Sequence, residues 1–447
     1  MPLRLLPLLL LFFIATTTAQ SIDSKLISDY FRLLTEEDRF MGALHIQQDS
    51  TVLYQNAFGL RDRDSNSPNT ITTVFRLGSI SKVFTATMIY QCIEEGKLTE
   101  ATTLAEYFPR IPNADRITIG MMLRHKSGLF DYTADARYSN YMFTETSKNS
   151  LLANIEMGTA AFEPDTKTAY CNTNFLLLSF IIEQLDQTSY AQSLHNRISQ
   201  PLALPSIAFG EDAESSKNEA LSYVYNGNFW QFAGETHMSV PMGAGAVVGN
   251  AIDLNSFMHA LFEKDSILSP ETRAKMLATN SQRFGAGIFK LPTQALAYGH
   301  GGAIDGFKTR TAYLPEQNIA ISLLSNGVYY DIDKIANDLL AIINHQPITL
   351  PLFADITLTD TQLDQYPGQY GSEDIGLEIT ITTTQDGKLS IQATGQQAFI
   401  LDTQSPTEFS MQALDLNIIF SSLIGSQYQS FTLNQSGGSY RFDRISE

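Results

Sequence analysis

Apolar residues recur at helical spacing over residues 21–37, where Ile22, Leu26, Ile27, Tyr30, Phe31 and Leu34 share one face, which predicts an amphipathic helix. The pattern then shortens. Residues 42–60, GALHIQQDSTVLYQNAFGL, hold two short apolar runs around Gln48, Asp49 and Ser50, a hairpin signal. Helical runs follow over 79–95, closed by Gly96, and over 172–185. Strand-like runs return over 309–314 and 319–325, with 315–318 as the turn between them. Helix-rich sequence enclosed by antiparallel strands predicts an α+β fold rather than a doubly wound sheet, and residues 20–345 form this first domain.

After His345 the pattern changes. Residues 346–360 carry two prolines and little charge and read as a linker. Beyond them, residues 377–382 (LEITIT), 388–392 (KLSIQ), 416–420 and 440–445 (YRFDRI) are short strands, several alternating with period two. The first pair is joined through Gln385, Asp386 and Gly387, and Asp-Gly favours a tight turn. Residues 361–447 are therefore expected to form a small all-β antiparallel domain.

At the other end, Arg4 precedes an apolar run over 5–15 and a polar stretch ending in Ala19. This is the order of a signal peptide over 1–19. The run is shorter than the roughly 20 apolar residues that span a bilayer. No cysteine near Ala19 offers a lipid attachment point. An exported protein, periplasmic or extracellular, with no membrane span after cleavage is expected.

Composition narrows the function classes. A net charge of −18 excludes nucleic acid as a partner, since phosphate binding needs clustered Lys and Arg. With 43% hydrophobic, 11% aromatic and 17% charged residues the chain has a globular profile. Two cysteines exclude a disulfide scaffold and a zinc cluster. None of the seven histidines falls in a His-x-x-x-His or His-Glu pair, so neither metal nor cofactor is expected. Residues 243–249, GAGAVVG, lack the spacing and the βαβ setting of a dinucleotide loop; close backbone packing explains those glycines.

The chemistry concentrates in residues 75–98, FRLGSISKVFTATMIYQCIEEGKL. Ser79 opens a helix and Lys82 follows three residues on, so both point to one face. A serine hydroxyl becomes a nucleophile when a neighbouring base takes its proton, and a lysine of lowered pKa can do so. A helix start also aims free backbone N–H groups at a developing oxyanion. Two further segments supply context: Tyr170-x-Asn172 just before an apolar helix, and His300-Gly301-Gly302 ahead of the strand pair. His125 reads as a structural histidine bonded to backbone. A Ser-His-Asp arrangement with His300 and Asp305 is conceivable, but the Gly-x-Ser-x-Gly elbow is missing.

In this order Ser79-x-x-Lys82, Tyr170-x-Asn172 and His300-Gly301-Gly302 resemble the three motifs of the class C β-lactamase and DD-peptidase superfamily, over roughly residues 25–345, with support from residues 123–129 (LRHKSGL) and 242–254. The resemblance implies a β-lactamase/transpeptidase-like domain in which Ser79 forms an acyl-enzyme and Lys82 and Tyr170 share the acid and base work. It implies that Asn172 bonds Lys82 and the substrate amide, that His300, Gly301 and Gly302 bind substrate, and that the backbone N–H groups of Ser79 and Ala303 form the oxyanion hole. It also implies a lipocalin-like carboxy-terminal module.

The third motif departs from the Lys-Thr-Gly of true class C β-lactamases. His300 can be neutral near pH 7 and Gly301 brings no hydroxyl for a substrate carboxylate, which favours relatives with His there. Lys308 and Arg310 are alternative carboxylate partners, with surface charge as the plainer reading. In the implied arrangement Cys92 lies about 20 Å along the helix from Ser79 while Cys171 sits inside the second motif, so both thiols are expected free. The expected function is a serine hydrolase of amide or ester bonds with DD-carboxypeptidase or D-amino-acid peptidase-like activity on a small-molecule or peptide substrate, cell-wall fragments included. The alternatives are an esterase or weak class C-like β-lactamase and, from another class, an inactive cell-wall-binding module. The sequence leaves the oligomeric state open.

Overall fold

The motifs ride on a six-stranded antiparallel sheet whose order is Phe289–Lys290, Tyr298–Ile304, Phe307–Leu314, Ile319–Val328, Phe40–Gln48 and Thr51–Phe58. The computed structural model describes residues 21–225, 229–351, 353, 356–411, 414, 416–435 and 438–446. The expected signal peptide lies outside the described residues, apart from which no helix is long and apolar enough to cross a membrane among those described.

Strand Ile319–Val328 is buried along nearly its whole length, as a central strand covered on both faces must be. Helices Ser24–Glu36 and Ile332–Ile343 cover one face, where Ile27, Phe31, Ile335 and Leu339 join Leu44, Ile321 and Leu323 in one apolar cluster. The predicted hairpin is present as Phe40–Gln48 and Thr51–Phe58, with Asp49 at φ 50° in its turn, a conformation Asp tolerates better than most residues.

On the other face lies the helical region. Helix Ser81–Glu94 is apolar nearly all round and buries eleven of its residues, Ser81 to Tyr90 and Cys92, so it runs through the core rather than along the surface. It packs on Asn172–Asp186, the second predicted helix. Gly243 fits between them: a Cβ there would lie 2.6 Å from Ser179 Cβ and 2.8 Å from Thr85 Oγ1. That close approach is what the glycines of residues 243–249 were expected to serve.

The carboxy-terminal part is a nine-stranded antiparallel sheet that begins with Gly368–Ser372 and ends with Gly438–Ser446. Its two edge strands are Phe399–Ile400 and Asp402–Thr403. They are consecutive in the chain with Leu401 alone between them, so the sheet has to curl until its edges meet. The result is a nearly closed barrel, and a small all-β domain as expected. Tyr366, Tyr370, Phe409, Phe420, Phe431 and Phe442 are all buried and fill it, with Phe431 stacked on Phe442 at 5.0 Å.

The same apolar cluster includes Met41, Tyr223, Trp230 and Tyr329 from the catalytic part. Arg39 adds a two-pronged ion pair to Asp402 at 2.7 and 2.9 Å, and Tyr329 donates to the Ile400 carbonyl at 3.1 Å. The two parts thus meet through a shared core rather than a loose tether.

Candidate active site

Ser79 lies in a single 3-10 turn, Gly78–Ile80, directly before helix Ser81–Glu94. The helix therefore starts two residues later than the sequence pattern suggests, and Ser79 occupies a bend held by its surroundings. Gly78 has φ +54°, and a Cβ on it would sit 2.9 Å from Ala303 N. A Cβ on Gly302 would fall 2.0 Å from Leu77 O and 2.3 Å from Thr309 Oγ1. Only glycine allows strand Tyr298–Ile304 to lie this close to the serine turn. Thr309 Oγ1 donates to Leu77 O at 2.9 Å and closes the contact. Ser79 and Ala303, the two expected oxyanion donors, are neighbours as a result.

Lys82 is fully buried. Its Nζ lies 2.9 Å from Ser79 Oγ, 2.9 Å from Asn172 Oδ1 and 2.7 Å from the Ala244 carbonyl. Burial lowers its pKa from 10.5 to about 7, with Asp131 and Cys171 pulling the other way. A neutral amine has two N–H groups and one lone pair. Asn172 and Ala244 take the two hydrogens, which leaves the lone pair for the Ser79 proton.

Tyr170 keeps 38% of its surface exposed, but its hydroxyl end is enclosed beside Ser79. That enclosure holds the phenol above its ordinary pKa, and the Ser79 hydrogen bond only partly offsets it. Tyr170 is therefore a neutral hydroxyl near pH 7. Lys82 Nζ stands 4.9 Å from its ring centroid, where a cation is stabilised by the ring face.

Asn172 opens helix Asn172–Asp186, and its amide is fixed on both sides. Its Nδ2 donates to Asp131 Oδ2 at 3.2 Å and to Thr133 Oγ1 at 3.1 Å, while its backbone N–H reaches Asp131 Oδ2 at 3.0 Å. Both amide hydrogens are thus spent inside the protein. The resemblance implies a second bond from Asn172 to a substrate amide; with Nδ2 engaged, that bond would fall to the second lone pair of Oδ1, beside the one Lys82 uses. Asp131 was not singled out in the sequence, for a lone Asp in a loop carries no pattern.

His300 is buried at 3% exposure, and its pKa falls from 6.5 to about 3 through burial and the nearby Lys82 charge. Its Nδ1 bonds the Gly301 carbonyl at 2.5 Å, so the proton resides on Nδ1 and Nε2 is a bare acceptor with no partner among the described residues. Asp305 does not join it. Asp305 instead accepts from Thr236 N and Oγ1 at 3.0 and 2.7 Å and from Arg76 Nη1 at 3.1 Å, which removes the Ser-His-Asp alternative. Arg76 and Asp305, three residues before Ser79 and two after Ala303, tie the serine turn to the end of its facing strand.

His125 is structural, as read from the sequence. Its Nδ1 accepts from Cys171 N at 3.0 Å, its carbonyl accepts from Ala169 N at 3.0 Å, and its ring stacks on Tyr170 at 4.5 Å. Cys92 and Cys171 are both free and buried.

The cleft is a cavity of about 700 Å³ in which Ser79, Tyr170, His300, Gly301, Gly302 and Ala303 line one end. Arg310, one of the two expected carboxylate partners, is engaged by Asp333 at 2.6 and 2.8 Å. Lys308 is exposed, opposite Ala303 in the strand pairing. Arg283 and Lys290 are the other cations of the cavity wall; both are exposed and neither has an ion-pair partner among the described residues.

The Beta-lactamase family profile matches residues 27–345. Penicillin-binding protein 4* of Bacillus subtilis (strain 168) is 26% identical over 442 residues, covering 92% of this chain and 97% of that protein. Teichoic acid D-alanine hydrolase of Staphylococcus aureus is 24% identical over 238 residues, 53% of this chain and 58% of that protein. In fold, the D-amino acid amidase of Ochrobactrum anthropi SV3 superposes with a TM-score of 0.63 at 22% identity, covering 72% of this chain and 99% of the amidase. By motif, by geometry and by a match over most of its length, this chain belongs to the β-lactamase family and is a serine hydrolase of the β-lactamase/transpeptidase-like superfamily.

Proposed function

We propose that the protein is an exported hydrolase of amide bonds in small peptides or amino-acid derivatives of D configuration, with DD-carboxypeptidase or D-amino-acid peptidase-like activity. The observation that carries this is the Lys82 amine, with its pKa near 7, held 2.9 Å from Ser79 Oγ. Lys82 takes the Ser79 proton as the Ser79 oxygen bonds the carbonyl carbon, and the backbone N–H groups of Ser79 and Ala303 hold the oxyanion. The carbon–nitrogen bond then breaks. The leaving nitrogen receives its proton from the Tyr170 hydroxyl, which recovers one from the Lys82 ammonium. Water attacks the acyl-enzyme with Lys82 again as base, and Ser79 is released. Asn172 positions Lys82, and His300, Gly301 and Gly302 form the substrate wall.

The D configuration is supported by the company the chain keeps, teichoic acid D-alanine hydrolase among its relatives, and by the third motif. A neutral His300 puts no cation where a β-lactam carboxylate would need one, which ranks β-lactamase activity below peptidase activity. Arg283 and Lys290, which have no ion-pair partner among the described residues, are cations of the cavity wall for the terminal carboxylate that a carboxypeptidase substrate carries. Export rests on residues 1–19, and the division into modules at 345 and 361 on the change of pattern there.

A profile of D- and L-configured peptides, simple esters and β-lactams against the native protein and Ser79→Ala tests the reading. D-peptide turnover that vanishes in Ser79→Ala is expected. Turnover of short esters alone would install the esterase reading, and activity that survives Ser79→Ala would sink the mechanism. Cell-wall fragments that bind while Ser79 stays inert to a serine-reactive probe would make this a binding module.

A further inference from the structure

Among the described residues the carboxy-terminal barrel contributes none to the wall of the catalytic cavity, yet one short hairpin joins it to the strand that carries Ala303. Strand Tyr298–Ile304 turns into Phe307–Leu314 through Asp305 and Gly306 alone, since Ile304 faces Phe307. Asp305 stands at φ 52° in that turn, a left-handed conformation that needs support. The support comes from one segment. Thr236 donates to Asp305 Oδ1 through its backbone N–H and its hydroxyl, and the buried Ser222 Oγ accepts from Gly306 N at 2.7 Å. A Cβ on Gly306 would fall 2.2 Å from the Tyr223 carbonyl oxygen, so the turn lies directly on this backbone. Ser222 and Thr236 flank the paired strands Tyr223–Tyr225 and Trp230–Phe232, and the turn is thus gripped from both legs of one hairpin.

The other side of the hairpin belongs to the barrel. Tyr223 and Trp230 are buried in the apolar cluster that fills it, and Tyr225 packs against that cluster. The Tyr225 ring lies 5.3 Å from Trp230 and 4.5 Å from Tyr329, and it lines a crevice with Leu401 and Asp402. Tyr329 is pinned in turn: its hydroxyl donates to the Ile400 carbonyl, and the Arg39 guanidinium that Asp402 holds lies 4.8 Å over its ring. An isolated two-stranded hairpin is marginal in water, so this one takes its position from what it packs on. An oxyanion donor is useful only when it is fixed before the charge develops. The barrel edge, the aromatic side of the hairpin, Ser222 and the Asp305–Gly306 turn form an unbroken support that ends two residues from Ala303.

Resting on the acyl-enzyme reading above, with the Ala303 N–H as an oxyanion donor, we propose that the carboxy-terminal barrel buttresses the oxyanion strand, with Tyr225 and Ser222 as positioning residues.

The test uses the full chain with Ser222→Ala, which removes the acceptor of Gly306 N, Tyr225→Ala, which removes the ring between hairpin and barrel, and Asp402→Asn, a same-sized change that releases Arg39. The readout is the second-order rate at which a fluorophosphonate labels Ser79. The serine oxygen displaces fluoride from phosphorus while the phosphoryl oxygen takes the oxyanion position, so the rate reads the oxyanion donors and is indifferent to a D-configured substrate. Ser222→Ala is expected to slow labelling about tenfold, and Tyr225→Ala and Asp402→Asn at least about threefold. Tyr225→Phe keeps the ring and should label at the native rate. All variants should keep the native pH midpoint, because Lys82 is not displaced. In the Ser222→Ala background the other two substitutions should add no further loss, the link being already cut. Losses that multiply, a shifted midpoint, or native rates in both Tyr225→Ala and Asp402→Asn overturn the buttress.

Hydrogen exchange separates the two readings. Exchange over residues 298–307 is expected to quicken at least about tenfold in Tyr225→Ala and Asp402→Asn while helix Asn172–Asp186 stays protected. That response upholds the support whatever the chemistry at Ser79, and unchanged exchange rejects it. A native protein whose Ser79 takes no label, in variants of which that exchange still responds, rejects the acyl-enzyme reading alone.

Discussion

Lys82 Nζ lies 2.9 Å from Ser79 Oγ in a pocket that leaves the amine no exposed surface. Burial favours the neutral form and brings the pKa to about 7. The neutral form is the base, so activity requires loss of a proton. We expect kcat/KM to fall about tenfold per pH unit below about pH 7 and to level off above it. Lys82→Arg keeps a cation that does not deprotonate and should lose at least about a thousandfold. A pH–rate profile with its midpoint near the free-lysine value would contradict the assignment.

Asp131 sets that midpoint from behind. Its charge raises the Lys82 pKa against the effect of burial, and its Oδ2 holds the Asn172 amide. Asp131→Asn removes the charge and turns an amide toward Asn172. The acid limb should move to lower pH while kcat/KM at the plateau drops about tenfold through misplacement of Asn172. A limb that stays in place would show that Asp131 acts on geometry alone.

Gly302→Ala tests the strand against the serine turn. The added Cβ would lie 2.0 Å from the Leu77 carbonyl, a backbone atom with little freedom to yield. Overpacking of this kind costs about 1–3 kcal/mol, readable in urea denaturation. Separation of Ala303 from Ser79 should cost at least about a hundredfold in kcat. Gly96→Ala makes the control: its site is open, with no atom within 4 Å, so only its φ of +71° is penalised and activity persists.

The depressed Lys82 pKa also predicts how stability depends on pH. Between about pH 7 and the unfolded value near 10.5 the unfolded chain holds a proton that the folded one has shed. Over that window this group makes the protein more stable as pH rises. Below about pH 7 the cost of burying the ammonium is fully present. Lys82→Met removes it, so the melting temperature of the variant relative to the native protein should be highest near pH 6 and decline toward pH 10. A constant difference would mean that the lysine is as hydrated as an ordinary surface residue.

Elements with strong local patterns were legible in the sequence. The helix at Ser24–Glu36, the hairpin around Asp49 and the buried helix at Asn172–Asp186 match their predicted positions within a few residues. Strand Gln427–Gln435 was not anticipated; its sequence, QYQSFTLNQ, is more polar than a strand usually is, and its place comes from pairing with Leu416–Ile424 and Gly438–Ser446. Ser79, Lys82 and Tyr170 were legible because their order and setting form a pattern. Asp131, the Ala244 carbonyl and the Arg76–Asp305 pair were not, because backbone acceptors and single loop residues acquire meaning only when the chain brings them together. Lys308 and Arg310 show the converse: sequence places both beside the motif, but only the fold shows that Asp333 already holds Arg310.

Leu401 separates the two edge strands of the carboxy-terminal sheet by one residue. An ordinary sheet ends in a row of unpaired N–H and C=O groups on which a strand from another chain can grow, the route to domain swapping and fibres. Here the two ends are a pair of two-residue strands turned toward each other, and no long rail remains for a foreign strand. A partner of this module therefore has to recognise its outward side chains rather than its backbone. For a protein read as working outside the cell, beyond the reach of cytosolic chaperones, such a sheet carries its own protection against aggregation.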